Sequence, residues 1–324
     1  MVVASAHPPR SGMGVVVNPH SRRNRRRRDL VGRLSRAVGD RGVVVRSNDR
    51  EHLLRIAEDF RRQRIDLLAL SGGDGTVGFT LTAFAEVYGE QPLPKLALLR
   101  AGTMNTIANS VGLPRRGPAA HLRSLSRRHA RGEPLGSSRR VTLRIVHGGE
   151  VRLGFLFGTG VARGFLEEYY ARSSNPTVLT AARVLARIAW SSLSRGELAR
   201  RLAERERLVI EAGDERWPER GYIGVMAGTV AQVGLGFSPF HRTAEGLARF
   251  HLIGIHAPPA RVAMRIYRIR LARSLGGDCA QEELLERALL SPARGHLSYF
   301  LDGDLYRAEG DVAMDLGPRV RFVW

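Results

Sequence analysis

The 324-residue chain is 43% hydrophobic and carries 51 Lys and Arg against 31 Asp and Glu, a formal charge of +20. That length and apolar content support more than one buried core, and no run of about 18 uncharged apolar residues reads as a membrane span. The single cysteine, Cys279, excludes an internal disulfide framework and a cysteine-cluster zinc site. With no basic head and apolar core of signal-peptide type at the start, the expectation is a cytoplasmic protein. A charge this positive draws phosphates, nucleic acids or anionic lipid surfaces. Lys95 is the only lysine, however, so an arginine-rich coding bias explains the same excess, and both readings stand. The densest run is Arg22 to Arg28.

Through about residue 130, short β-branched or leucine-rich runs alternate with helical patterns, as a parallel sheet with crossover helices requires. Strands are predicted at Gly14–Val17, Val43–Arg46, Ile65–Leu70 and Lys95–Arg100. Between the second and third, Leu53, Leu54, Ile56, Ala57 and Phe60 give a helix an apolar face, with Asn48 or Asp49 as its N-cap. "RGEPLGSSRR", residues 131–140, has the Gly, Pro and Ser content of a linker. Beyond it, Val141, Leu143, Ile145 and then Val151, Leu153, Phe155, Phe157 alternate across "HGGE", a hairpin signal. Later runs are also strand-like, so the second half reads as mostly antiparallel β. Two insertions interrupt it, a helical one from Pro176 to about Arg207 and another over Pro258–Leu275, where apolar residues alternate with Arg. The expected domains are residues 1–135, α/β, and 136–305, β-rich with its helical insertion near 176–207, the last stretch 306–324 returning to the first domain.

Chemistry concentrates where the early strands end. In "LSGGDGT" a strand stops, Gly72, Gly73 and Gly75 let the backbone turn tightly, and a helix begins near Thr76. Free N–H groups at a helix N-terminus, beyond the carboxyl end of a parallel strand, suit phosphate. Asp74 among phosphates is repulsive unless a metal ion, a ribose hydroxyl or a proton transfer needs it; a plain glycine turn capped by aspartate is the other reading. In "VVVNPHS", Asn18 suits a purine or ribose and Ser21 a phosphate, or Ser21 simply caps a helix. In "LLRAGTMNT", Gly102, Thr103 and Asn105 offer a tight turn, a hydroxyl and a carboxamide, or again a cap. Three such turns at one sheet edge define a nucleotide site. The P-loop pattern, G-x-G-x-x-G after the first strand and G-x-S-x-G are all absent.

Asn18-Pro19-x-Ser21, Gly72-Gly73-Asp74-Gly75-Thr76 and Gly102-Thr103-x-Asn105, in this order, resemble the diacylglycerol kinase and sphingosine kinase superfamily, particularly its bacterial lipid kinases. "FLDGDLY", near the end, resembles the family's Asp-Gly-Glu motif more weakly. The resemblance implies an ATP- and Mg²⁺-dependent lipid kinase, its N-terminal α/β domain of NAD kinase and phosphofructokinase type, its C-terminal domain β-rich, with substrate in the cleft between. It assigns ATP contacts to Asn18, Ser21, Gly72, Gly73, Gly75, Thr76, Gly102, Thr103 and Asn105, phosphate and Mg²⁺ positioning to Asp74, and deprotonation of a lipid hydroxyl to Asp302. "LDGDL" reads equally as a type I′ hairpin turn. Asp304 and Thr106 depart from the family's usual Glu and Asp, as do "FGTGVARGF" and "EGLARF", so no metal ligand is named in the second domain.

The "GGDGT" turn also occurs in NAD kinase, but no Asn-Glu pair accompanies it here, which makes a water-soluble acceptor the lesser reading. The remaining alternatives are a catalytically silent nucleotide-binding protein at the membrane surface and, ranked last, a nucleic-acid binder, which no aromatic-rich basic motif supports. A lipid acceptor implies peripheral association with an anionic membrane, through Arg22–Arg28 and through the insertion around Val178–Leu202 that carries Trp190. Exposed strand edges make a homodimer reasonable.

Overall fold

The structure, a computed structural model, describes residues 12–21, 24, 29–102, 105–114, 116–171, 178–193, 196, 205–234, 236–244 and 248–324. They divide into two compact units, one within Met1–Arg140 and Pro318–Trp324, the other within Val141–Gly317.

The first unit runs β1 (Gly12–Val17), α1 (Leu30–Val38), β2 (Gly42–Arg46), α2 (Arg50–Arg62), β3 (Ile65–Ser71), α3 (Asp74–Tyr88), β4 (Lys95–Leu98), α4 (Thr106–Ser110) and α5 (Pro118–Ala130). The strands lie in the order β2-β1-β3-β4, all parallel. The final strand of the chain joins β4, also parallel, at Phe322 opposite Leu96. Every residue of β1 is buried, as a sheet covered on both faces demands. On one face Leu30, Leu34 and Val38 of α1 meet Leu122 and Leu125 of α5 over Val15, Leu67 and Ala97. On the other, Phe60 of α2 sets its ring edge-on to Phe84 of α3, 6.1 Å between centroids, and Phe84 stacks on Tyr88 at 5.9 Å. Asp49 is the N-cap of α2, its carboxylate accepting the His52 N–H at 2.8 Å. Strands β1, β2 and β3 run one or two residues beyond the predicted Gly14–Val17, Val43–Arg46 and Ile65–Leu70, and two further boundaries differ from the sequence reading. Helix α3 begins at Asp74 rather than near Thr76, and β4 ends at Leu98 because Arg100 adopts a left-handed φ of 42° that no strand tolerates.

In the second unit the chain continues through β5 (Ser137–His147, beginning in the first unit), β6 (Glu150–Gly154), β7 (Leu156–Thr159), α6 (Gly160–Ala171), α7 (Val178–Leu193), β8 (Glu206–Ala212), β9 (Glu215–Arg216), β10 (Arg220–Tyr222) and β11 (Gly224–Gly228). It ends with β12 (Phe250–Ile255), α8 (Pro259–Arg270), β13 (Ala280–Leu285), β14 (Arg287–Pro292), β15 (His296–Leu301), β16 (Asp304–Glu309) and β17 (Val312–Val323). One antiparallel layer is β13-β12-β11-β7-β15-β16. The other contains β10, β8, β14 and the first residues of β17, with the β5–β6 hairpin. Side chains from both layers, among them Ile145, Phe157, Tyr222, Leu252, Leu290 and Tyr299, form one core. Gly148 and Gly149, at φ 55° and 79°, make the tight turn of the β5–β6 hairpin. The alternating run expected to continue to Phe157 breaks at Phe155, where the chain leaves the β5 layer and β7 enters the other. The helical insertion is α7; residues 176–177, 194–195 and 197–204 of that expectation lie outside the described residues. No described helix is long and apolar enough to cross a membrane.

His121 on α5 is 4% exposed, and its Nε2 has no hydrogen-bond partner. Burial, then Arg116 and Arg100 nearby, pushes its pKa from 6.5 down to about 4. The unfolded chain therefore binds a proton that the folded unit refuses. Stability is whole above pH 6.5 and falls by roughly 2–3 kcal/mol as pH drops towards 4. Urea midpoints measured across that window should decline more gently in His121→Gln; an unchanged slope would remove His121 as the cause.

Candidate functional site

The three predicted loops lie together at the carboxyl edge of the first unit's sheet, and hydrogen bonds tie each to the next. The Asn18 side chain donates through Nδ2 to Thr76 Oγ1 at 2.8 Å, while its Oδ1 accepts the His20 N–H at 2.8 Å. Ser21 Oγ stands 3.5 Å from the same Thr76 hydroxyl. Both predicted residues of the first loop thus converge on the GGDGT turn through Thr76. Behind them, buried Asn24 donates from Nδ2 to the carbonyls of Asn18 and Ser71, at 2.7 and 2.8 Å, and accepts from the Ser71 hydroxyl at 3.2 Å. It pins the ends of β1 and β3 at a fixed spacing. Arg22, Arg23 and Arg25–Arg28, the rest of the basic run, lie outside the described residues.

In the second loop Gly73 occupies the N-cap of α3 without a side chain to cap it, so the first N–H groups of the helix stay open towards the loops. That is the arrangement in which a helix N-terminus takes a phosphate. The glycines are required by close packing. A Cβ on Gly102 would meet the Gly73 Cα at 2.6 Å, and one on Gly72 would meet the Thr76 side chain at 2.4 Å. Gly75 lies within the first turn of α3.

Asp74 acts on a helix other than its own. Its Oδ2 accepts the Thr106 N–H at 2.9 Å and its Oδ1 the Ile107 N–H at 3.1 Å, so one carboxylate caps the start of α4. Burial pushes its carboxyl above the ordinary Asp range, opposed by those N–H groups and by Arg100. Asn105, next to α4, sits in the left-handed region at φ 49° and closes its own loop: Oδ1 accepts the Gly102 N–H at 3.1 Å and Nδ2 donates to the Gly102 carbonyl at 3.0 Å. Thr103 lies outside the described residues. At the far end of α4, Arg100 donates to the Asn109 side chain at 2.7 Å, to the Ala108 carbonyl at 3.3 Å and to the Leu113 carbonyl.

Asn24 and Arg100 were not among the predicted site residues. Asn24 sits inside a run that reads only as charge, and Arg100 looked like the end of a strand; neither carries a motif. Both oxygens of Asp74 accept backbone N–H groups, and among the described residues no group of three or more His, Cys, Asp or Glu is placed to hold a metal ion.

In the second unit Asp302 and Gly303, at φ 52° and 104°, form the two-residue turn between β15 and β16, which is the type I′ geometry. The side chain does more than turn the chain. It is 5% exposed; Oδ1 accepts N–H groups from Phe155 at 3.0 Å and Leu156 at 2.9 Å, and Oδ2 lies 3.1 Å from the Phe155 nitrogen. Those are the residues at which the chain changes layers. Asp304 opens β16 opposite Leu301. Glu245, in the second departing motif, lies outside the described residues.

Residues 12–137 match the diacylglycerol kinase catalytic domain. A crystal structure of a diacylglycerol kinase from Bacillus anthracis str. Sterne aligns at TM-score 0.62 and 13% identity, covering 97% of each chain. Yeast NADH kinase complexed with NADH aligns at TM-score 0.51 and 11% identity, over 98% of this chain and 84% of that one. None of the curated proteins matches the sequence. The matched segment holds all three loops, and the solved structures share the fold along nearly the whole chain.

Because the second and third loops meet backbone to backbone, Gly102→Ala should lower the unfolding free energy measured by urea titration by about 1–3 kcal/mol. Gly117→Ala is the control, since nothing lies within 4 Å of its new Cβ. Equal stability of the two variants would mean the loops are not in contact.

Proposed function

We propose that the protein is an ATP-dependent lipid kinase that transfers the γ-phosphoryl group to a lipid hydroxyl. The observation that carries this is the set of three loops within a segment matching a diacylglycerol kinase catalytic domain, with an uncapped helix N-terminus at their centre. The open N–H groups of α3 and the glycine turns suit a phosphate chain, and ATP supplies the phosphoryl group. Asn18, Ser21, Thr76 and Asn105 border the nucleotide, while Asp74 acts by holding α4 and its loop in place. Magnesium enters this reading as the counter-ion that comes with the nucleotide. In the transfer itself, the lipid oxygen bonds to phosphorus as the bond to the ADP oxygen breaks, and the hydroxyl proton passes to Asp302. The acceptor is diacylglycerol or a related lipid at an anionic membrane surface, with the enzyme cytoplasmic and peripherally bound.

Transfer of ³²P from ATP into diacylglycerol, a sphingoid base and NAD tests this. Wild type should label a lipid. Asp302→Asn keeps one oxygen acceptor for Phe155 and Leu156 but turns an amide N–H towards the Phe155 nitrogen, so it should lower the thermal midpoint. Assayed well below that midpoint, it should reduce kcat about 10²- to 10⁴-fold if Asp302 is the base. Label in NAD alone overturns the lipid reading, and full activity of Asp302→Asn overturns the base.

Asp74→Asn keeps one acceptor for α4 and turns an amide N–H towards the other donor. It should cost about 1–3 kcal/mol of stability and weaken ATP binding, with the lipid KM unchanged once ATP saturates. A KM effect confined to the lipid would contradict the role given to Asp74.

A further inference from the structure

We infer that the outward faces of α7 and α8 form a docking surface for an anionic lipid bilayer. The inference deepens the lipid reading above, yet it stands on different residues. Nine large hydrophobic side chains are exposed among the described residues, and five of them lie on these two helices and the residue that ends α8. They are Leu179 and Trp190 on α7, 58% and 74% exposed, and Met264, Tyr267 and Leu271 on α8, 63%, 57% and 58% exposed.

The spacing shows that these are faces rather than scattered positions. Met264, Tyr267 and Leu271 follow at three and four residues, one stripe along a helix. Leu179, Arg183, Arg187 and Trp190 share a face in the same way, about a quarter turn from Val184, which is 2% exposed. The two helices pack against each other within the second unit. Helix α8 has no buried residue at all, although Val262, Met264, Ile266, Tyr267 and Ile269 make it rich in apolar side chains. A 12-residue helix draws its stability from burying one face, and here Val262, Ile266 and Ile269 are only half-buried while Met264, Tyr267 and Leu271 face water.

Charge selects the occupant. Neither helix contains an Asp or Glu, whereas α7 carries Arg183 and Arg187 and α8 carries Arg261, Arg265, Arg268 and Arg270. Arg265 and Arg268 are held by Asp278 and by the Ser274 carbonyl, and Arg270 lies over the Phe237 ring at 6.0 Å, while Arg183, Arg187 and Arg261 stand beside the apolar stripes. Trp, Tyr, Met and Leu rimmed by arginine is the composition of a helix that lies in a lipid interface. A second copy of the chain would set like charges against one another, and a nucleic acid has no use for a central apolar stripe.

Sedimentation with vesicles tests the surface, comparing phosphatidylcholine alone with phosphatidylcholine containing about one third phosphatidylglycerol. Wild type should bind the anionic vesicles, less so at high salt, and the triple variant Met264→Ser, Tyr267→Ser, Leu271→Ser should bind about tenfold more weakly or worse. Brominated lipid should quench Trp190 fluorescence, a component missing from Trp190→Phe; Trp217 is only 1% exposed. This second readout uses the wild-type fold and holds even if the triple variant misfolds. Binding without Trp190 quenching would assign docking to another surface. A triple variant that binds like wild type, or one that merely converts a dimer to a monomer, would also overturn the inference. Phosphorylation of lipid dispersed in detergent separates the two readings. The triple variant should keep it, and a wild type that docks through Trp190 yet labels no lipid would sink the kinase reading alone.

Discussion

A five-residue helix cannot sustain itself, because fixing its first turn costs more than its few hydrogen bonds return. Helix α4 exists because Asp74 accepts its first two N–H groups and Arg100 binds the side chain and carbonyls at its other end. An anion at the positive end and a cation at the negative end complement the helix dipole from both sides. The third loop is thereby locked to the second, and Asn105 and the Gly73–Gly102 contact only finish what this clamp begins. Asp74 lies in the first turn of α3, so the orientation of that helix and the placement of the loop before α4 are set by one side chain.

The second unit uses a carboxylate in the same way. Asp302 sits in a tight hairpin turn and reaches back to the N–H groups of Phe155 and Leu156, where β6 ends and β7 begins. A chain that passes from one layer to the other must leave ladder hydrogen bonds unmade at the crossing, and buried N–H groups left without partners are costly. The Asp302 side chain supplies those partners. Gly154 beside it has no room for a side chain, since a Cβ there would meet Leu301 at 2.6 Å and Asp302 Oδ2 at 3.0 Å.

Much of this was legible in the residues, for identifiable reasons. The alternation of β-branched runs with helical patterns was strong enough to mark β1, β2, β3 and β4, because a parallel sheet buries both faces and permits few other compositions. The glycine turn at 72–75 was legible as a tight turn between strand and helix, but nothing in it announced that Gly73 packs against Gly102. What the sequence concealed were contacts between residues far apart in the chain. That Asp74 would cap a helix 32 residues away is invisible to periodicity, as is the use of Asn24 within an arginine run to fasten two strand ends. The break at Phe155 was hidden too, since the alternation passes straight through it and only the partner strands change.

The arginine content can be judged by position rather than by number. Many arginines do local structural work. Arg100 holds α4, Arg128 donates to the carbonyls of Trp324 and Pro134, and Arg152 lies over the Tyr306 ring at 4.6 Å while pairing with Glu150. Others form exposed pairs such as Arg36 with Asp29, which add little to stability. A coding bias towards arginine would distribute residues of both kinds over the whole surface without regard to the apolar side chains beside them. On α7 and α8 the distribution is different, because arginine without any acidic residue accompanies the main concentration of exposed large hydrophobics among the described residues. Composition bias accounts for an excess of positive charge, but it gives no reason for a water-facing stripe of Met264, Tyr267 and Leu271, and that stripe is the feature that calls for a partner outside the chain.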